Sequence, residues 1–582
     1  PGPIAQLILA KAEGNPFFLE ELGRAVGEQG ESRPTLAVPD TVQEVILARM
    51  HRLPDGPKRL LQTASVLGRE VSLRLLEAIW NGPGVVDEHL RELTWLEFLY
   101  ERGGGEEPVY VFKHALTQEV AYESLLDRRQ ALHAAAARAL EAFYADRLEE
   151  VFDRLAYHFA KAQEADKAVE YLTRFADMAA RAYAHVEAVA ALQEAFGLAQ
   201  RLPAEGRERR LLDLVIRQAH SLVFLGRFQD TLELLLRERD RVERIQDAVL
   251  TGPYYFWLGH TYSHLGDREQ AVRYANRSLE EAGRCGDEAT MGKAYVILAQ
   301  ECSWSGRALQ GIEDGRMAVD LLRRAGERWW QGFAHWIVGI NYITIGEFEP
   351  ALEAGSRARA IGEAIGDPRI QSYATWIIGW IHVLTGDWEA GIEACKRGLG
   401  GSPDPVNTAV ALGHLGYAYL EKGEAAEAIP LLEQSLAQIS QFRFQTLQGR
   451  FATFLGEAYL LNGEIERARE MVTKGLSTIQ DAKYPYGVGW GQLALGRIAQ
   501  AAGNLGEAET HLNDALQTFA SIQARFMLGR THLALADLSH ARESPEGVKT
   551  HLKEAYQLFH ALRIPKYVER TLTLAHTLGA RL

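Results

Sequence analysis

The side chains best placed to do chemistry in this sequence are aromatic rings and histidines, and their spacing suits binding more than bond-making. Seven of the eleven tryptophans lie between residues 304 and 388. Phe256, His260 and His264 recur at i, i+4 and i+8. So do Trp336, Ile340 and Thr344, and again Trp376, Trp380 and Leu384. Each set therefore shares one face of a helix. Such a face can anchor a protein or peptide in a groove, because a few aromatic side chains carry most of an interface's energy. It can equally fill the interior of a wide helical array with no ligand at all. No row of Lys or Arg accompanies the rings, so an apolar or basic guest segment fits better than a phosphopeptide or a nucleic acid. On the groove reading, replacing Trp336 and Trp376 by alanine leaves a helical fold and weakens partner capture.

Sets that break and make bonds are not written here. The three cysteines, Cys285, Cys302 and Cys395, form no CxxC pair, and the eighteen histidines include no HExxH, so no metal ribbon or zinc protease site is expected. No GxSxG occurs. "GDEATMGKAY" (286 to 295) has some likeness to a phosphate loop, but its spacer is one residue too long and Ala294 stands where a hydroxyl would hold magnesium. It also opens a helix instead of following a strand. The expectation is a chain with no catalytic residues, no metal and no cofactor of its own.

A chain of 582 residues is too long for one core, which calls for several domains or an elongated repeat. The apolar fraction of 47% and charged fraction of 24% are those of an ordinary folded protein. The formal charge of −14 disfavours a nucleic-acid partner. No apolar run reaches the roughly 18 residues of a membrane helix, and no signal peptide opens the chain. With so few cysteines a reducing cytoplasm fits. The chain starts Pro1-Gly2-Pro3 without methionine, which reads as a piece of a longer protein.

The elements that must position the rings repeat. Gly226, Gly266, Gly306, Gly346, Gly386, Gly423, Gly463 and Gly503 are spaced by 40 residues, with one step of 37. Seven residues before each stands a small residue, from Ala219 and Gly259 to Gly496. Five after each stands another small or short one, from Thr231 and Ala271 to Ala508. A glycine past the last turn ends a helix in the left-handed conformation, and the flanking small residues let two helices approach. Each unit is thus a helical hairpin that cannot bury its face alone and must stack on its neighbours. The last unit has Glu543 in place of its glycine and is expected to fray or cap the array. Residues 154 to 202 have the same texture at tighter spacing.

Residues 1 to 133 lack the repeat. In "EGNPFFLEEL" (13 to 22), Gly14-Asn15-Pro16 is a turn, and Pro16 suits a first helical position. Such a turn can face a nucleotide or simply begin a helix. A linker follows at 27 to 39. "DTVQEVILARMHRL" opens on a capping signal, Asp40 with Gln43 or Thr41 with Glu44. Two further helices and "VDEHLRELTWL" lead to "FLYE" and "VYVF", β-prone runs about a Gly/Glu tip that read as a hairpin. Helices followed by a hairpin outline a winged helix. Residues 41 to 130 carry 11 Lys and Arg against 14 Asp and Glu, which gives no surplus for phosphate contacts.

The repeat positions resemble the tetratricopeptide pattern, with Tyr262, Tyr342, Tyr419 and Tyr459 three residues after the first small position. Cys302 departs from it, as do Gly311 and Gly391. "EGNPFFLEEL", "VPDTVQEVILARMHRLP", "LLQTASVLGREV" and "FKHALTQEVAYESLLDRRQALH" resemble the tail of the ATPase module of bacterial signal-transduction ATPases with numerous domains. That family implies a nucleotide switch, with ATP or ADP and magnesium held by an upstream nucleotide-binding domain. It implies that Gly14, Asn15 and Pro16 approach the adenine and that His114 meets the β-phosphate. Histidine's titration range suits sensing phosphate charge; the plain alternative is a histidine satisfied in the winged-helix core. The phosphate-binding lysine and magnesium aspartate of that family are missing from this chain.

The expected fold is all-α: a tetratricopeptide-like solenoid of roughly 40-residue repeats behind a small helical lid and a winged-helix domain with one β-hairpin. The expected boundaries are 1–38 for the lid, 39–133 for the winged helix, 134–208 for the start of the solenoid and 209–582 for the repeats. The expected function is a regulatory interaction module. It would bind a protein or peptide through Phe256, His260, His264, Trp336, Ile340, Trp376 and Trp380, and relay this to the upstream switch, with no nucleic-acid or membrane partner. The alternatives are part of a class III adenylate or guanylate cyclase, or a winged-helix transcriptional regulator with a repeat sensor.

Overall fold

The computed structural model describes residues 9, 12, 16–27, 41–103, 107–401, 405–442 and 444–581. Gly14, Asn15, Asp40, most of the 27–39 linker and the tip of the hairpin lie outside them. The chain divides into two compact units, residues 1–207 and 208–582.

In the first unit, helix Pro16–Gly27 begins at the proline, whose missing N–H costs nothing there. Helix Val42–Arg52 is capped by Thr41 and Glu44, each side chain bonding the other residue's backbone N–H. Helices Asp55–Val66, Leu73–Ile79 and Val86–Trp95 follow. Strands β1 (Glu70–Ser72), β2 (Leu99–Arg102) and β3 (Val109–Phe112) form one antiparallel sheet in the order β1-β3-β2. The sequence reading of a single hairpin is thus one strand short. The β1 strand is three residues long, too short to show an alternation, yet it pairs Val71 with Tyr110 along β3. Ile46, Leu60, Leu76, Leu93, Phe98 and Phe112 form the core beneath it. Five further helices belong to the unit: Ala115–Glu123, Arg129–Phe143, Phe152–Lys161, Ala165–Arg181 and His185–Ala199.

The second unit is a solenoid of helical hairpins. Inner helices such as Ala248–Leu265, Arg328–Ile345, Pro368–Leu384 and Pro485–Ala501 alternate with outer ones such as Arg268–Cys285, Phe348–Ile365 and Leu505–Ser521. All eight expected glycines sit at the break inside a hairpin, with φ between 72 and 91°. At the first of these in the longer repeats, Gly266 N–H bonds Ser263 O and Asp267 N–H bonds Tyr262 O, so the last carbonyls of the helix are satisfied. The small residues meet as expected: a Cβ on Gly259 would lie 3.1 Å from Ala275 N and 3.2 Å from Ala271 O.

Two features go beyond the sequence reading. A second left-handed break falls between hairpins, at Gly286, Gly326 and Gly366, but also at Gln246, Lys483, Gln523 and Arg563, where no glycine marks it. Glu543 takes the same conformation, with φ 57°, so of the two expectations for this unit, fraying or capping, fraying is not met: the hairpin forms in full, with helix Pro565–Thr577 after it. The array also winds tightly. Lys566 Nζ donates to Gly386 O at 2.9 Å across 180 residues, Arg525 pairs with Glu347 across 178, and the Phe348 and Phe526 rings lie 5.1 Å apart. Breaks about four and a half repeats apart therefore touch, and the inner helices are buried on nearly all sides.

Candidate functional site

In the first unit Pro16 is exposed at its helix start. His114 occupies the N-cap of helix Ala115–Glu123 without capping it through its side chain. Its Nε2 lies 4.0 Å from Glu20 Oε2. Burial pulls its pKa below the usual range, with Glu20 and Glu21 acting the other way. Around it runs a charge network that the sequence did not suggest. Lys113 Nζ bonds Glu20 at 2.9 Å and also pairs with Glu97, and Arg24 bridges the same two carboxylates. Hydrogen bonds from Lys113 and then Arg24 hold the Glu97 carboxyl down at about 2. Arg49 Nη1 meets Glu21 Oε2 at 2.6 Å, both side chains almost fully buried. Arg49 also donates to Leu96 O and lies over the Phe98 ring. These contacts fasten helix Pro16–Gly27 to the small domain. The signal missed was non-local: the partners are 28 and 93 residues apart.

In the solenoid the expected aromatic residues do converge on the interior, but most are closed off. Phe256, Trp376 and Trp380 are at most 2% exposed and His260 is 7% exposed, which corrects the expectation of an open groove at these four positions. The physical reason is the tight winding: residues that would line a concave face meet the next superhelical turn. The His264 ring lies 5.6 Å from that of Phe444, and Trp304 lies 5.2 Å from Tyr484. Trp376 Nε1 donates to Asn407 Oδ1 at 2.7 Å inside the core. Burial drives His260 well below its ordinary pKa, as a packed neutral ring requires. Trp336, Ile340 and His264 are half-buried and line what remains of the groove, a cavity of about 60 Å³.

A far larger cavity, about 1150 Å³, opens at the C-terminal end of the solenoid. Inner helices Pro485–Ala501, Arg525–Ala541 and Pro565–Thr577 supply much of its wall. Arg530, 4% exposed, donates to Tyr417 Oη at 2.8 Å and to Glu421 Oε1 at 2.7 Å. Burial alone would raise the Glu421 carboxyl, but Arg530, Tyr417 and the more distant Arg497 and Arg570 together hold it below the usual range. Arg497 bonds Glu457 at 3.0 Å, whose other oxygen accepts from Trp490 Nε1 at 2.9 Å. Asp537 and Arg570, also in the wall, make no ion pair or hydrogen bond with any described residue. Burial raises the Asp537 carboxyl, against the pull of Arg497 and Arg570. No residue of this cavity was singled out from sequence as a binding residue. The available signal was the inner row itself, which reads Ile340, Trp380, Tyr417, Glu457, Arg497 and Asp537 at the repeat spacing and turns from apolar to charged.

Among the described residues no group of three or more His, Cys, Asp or Glu could hold a metal ion, and no helix is long and apolar enough to cross a membrane. Residues 252–284 and 409–439 match the family model for the tetratricopeptide repeat. The second unit is a tetratricopeptide-like solenoid. No curated protein matches the chain by sequence. Solved structures similar in fold include the following three. A Rap protein complexed with Competence and Sporulation Factor has a TM-score of 0.48 and 13% identity, covering 60% of this chain and 98% of that one. A signal transduction ATPase with numerous domains that carries a tetratricopeptide repeat sensor, from Pyrococcus horikoshii, has a TM-score of 0.42 and 14% identity, with 93% and 71% covered. The apo form of the quorum sensor NprR from B. thuringiensis has a TM-score of 0.41 and 13% identity, with 59% and 97% covered.

Proposed function

We propose that the solenoid docks a polypeptide segment in its C-terminal cavity. The observation that carries this reading is the pairing state of the wall. Two ion pairs, the buried Arg530 with Glu421 and the partly buried Arg497 with Glu457, hold the cavity's shape. Asp537, Glu569 and Arg570 in the same wall make no ion pair with any described residue, and of the two acids Asp537 is the half-buried one. A guest carrying a basic and an acidic side chain would pair with Asp537 and Arg570. At about 1150 Å³ the cavity exceeds the ~300–1,000 Å³ of typical small-molecule sites, which favours a segment of chain over a metabolite. The chain performs no chemistry of its own in this reading.

Occupancy of the cavity would then be relayed to a nucleotide switch in a longer protein. There helix Pro16–Gly27 serves as the lid of an upstream nucleotide-binding domain, and residues 39–133 act as a winged-helix adaptor. Gly14, Asn15, Pro16 and His114 would meet ATP or ADP, with magnesium held upstream. A peptide docked in the solenoid shifts such a switch only by binding its two states differently.

The test is selection of displayed random peptides on the full chain. Enrichment of sequences bearing both a basic and an acidic residue is expected, and Asp537→Asn with Arg570→Gln should abolish it. Enrichment that survives both substitutions, or none at all, would reject the reading.

A further inference from the structure

The small cavity in the middle of the solenoid contains an unexplained charge. Arg450, on inner helix Gln445–Leu461, is 4% exposed. Its guanidinium lies 5.1 Å from the Trp380 ring centre and 5.4 Å from that of Phe451. Its Nη2 is 3.5 Å from His414 Nε2, at the outer limit of a hydrogen bond. The Tyr484 hydroxyl is a second neutral neighbour of the guanidinium. The guanidinium Nε has no hydrogen-bond partner among the described residues, and no carboxylate among them forms an ion pair with Arg450. A guanidinium cannot shed its proton in a protein. Buried charges are paired, because an unpaired one is costly to keep from water. His414 offers no countercharge, because an imidazole is either neutral or cationic, and burial keeps this one neutral.

Arg450 does not stand alone. Trp304 and Trp336 line the same cavity, and their Nε1 atoms are also buried without an acceptor. Three N–H donors from three inner helices thus share one space, and none of the three is satisfied. Asn407 Oδ1 accepts from Trp376 and Gln300 Nε2 donates to Ser263 Oγ, and no acceptor among the described residues reaches any of the three donors. Glu301 beside Gln300 is paired with Ser263 and sits 4.0 Å from Arg268. The cavity's 60 Å³ has room for several water-sized groups, since one needs about 10–15 Å³ on this measure. A small polyatomic anion fits.

We infer that this cavity is a carboxylate-binding site, in which Arg450 supplies the countercharge and the Trp304 and Trp336 indoles donate hydrogen bonds. A carboxylate presents two oxygens to a guanidinium fork, which a spherical ion cannot do. The site is separate from the docking cavity and stands or falls independently of it.

The test uses the full chain and two probes, sodium acetate and sodium chloride, exchanged at constant ionic strength. Acetate should raise the thermal midpoint saturably and change tryptophan fluorescence; chloride should do neither. Arg450→Met should abolish the acetate response. Trp336→Phe keeps the ring and loses one donor, and should raise the half-saturating acetate concentration about 3- to 10-fold, the worth of one hydrogen bond. This second variant decides the matter if Arg450→Met does not fold. An equal response to chloride would indicate a simple halide site and overturn the carboxylate assignment. A response that persists in Arg450→Met, an unchanged half-saturation in Trp336→Phe, or no response at all would overturn the site, leaving water as the donors' partner.

Discussion

Residues 340 and 380 occupy the same inner position of their repeats as residues 497 and 537, yet the two regions have opposite characters. In the middle of the solenoid that position holds Ile340 and Trp380, and the interior closes to about 60 Å³. At the C-terminal end it holds Arg497 and Asp537, and about 1150 Å³ stays open. The breaks inside the hairpins are left-handed in both places, although helix Trp388–Gly400 is shorter than its counterparts at the C-terminal end. Side-chain volume and charge act together with the winding to make the difference. Large rings reach across the axis and meet those of the next turn, as Trp304 meets Tyr484. Charged side chains instead draw back into ion pairs along the wall, as Arg530 does with Glu421 and Tyr417. A repeat array can therefore be sealed in one stretch and receptive in another without any change of fold.

The largest effects should come from breaking what holds each region. Arg530→Met leaves the Glu421 carboxylate buried and uncompensated, and should cost about 3–5 kcal/mol in urea unfolding. Replacing Glu421 by leucine in the same chain should recover most of that loss, because a packed apolar pair needs no desolvation. In the middle region Trp376→Ala should also cost about 3–5 kcal/mol, since the ring is 1% exposed and its removal leaves a cavity. A loss below about 1 kcal/mol at Trp376 would mean that this interior is not sealed. This outcome is the opposite of the groove expectation, under which the tryptophans could be removed with the fold intact.

Much of the fold was legible because its marks are local. Glycine breaks, flanking small residues and the Thr41–Glu44 cap each lie within a few residues of the structure they specify. The second break of each repeat was hidden where Gln246, Lys483, Gln523 and Arg563 adopt a conformation that glycine usually signals. A residue forced into it costs about 1–2 kcal/mol locally, which the packing of two long helices offsets. The site was less legible. Whether Trp380 faces a partner or a neighbouring turn depends on how tightly the superhelix winds, and that is set by contacts such as Lys566 with Gly386, 180 residues apart. Charge pairing at Glu20, Glu21, Arg49 and Lys113 escaped for the same reason.

A smaller effect sharpens the comparison through pH. Burial raises the Glu301 carboxyl to about 7, with Ser263 and Arg268 opposing it. An acid whose folded pKa is raised binds its proton more tightly when folded. Stability should therefore be greatest below the ordinary carboxylate range and fall as pH rises from about 4 to about 7, by about 3 kcal/mol in total. Subtracting the profile of Glu301→Gln from that of the wild type isolates this contribution, and identical profiles would refute it. The smallest change in stability is expected at the receptive end. Asp537→Asn removes a carboxylate that pairs with nothing described and should alter stability by less than about 1 kcal/mol, while abolishing enrichment of the basic half of the docked sequences.

The most direct measurement is thiol accessibility at one register position in both regions. With the exposed Cys285 replaced by serine, Cys302 and Cys395 stay buried and unreactive. Ile340→Cys and Asp537→Cys then place one new thiol in each cavity. A bulky maleimide should label position 537 at close to the rate of a free cysteine, and position 340 at least ~100-fold more slowly, limited by opening of the fold. Equal rates at the two positions would contradict the account.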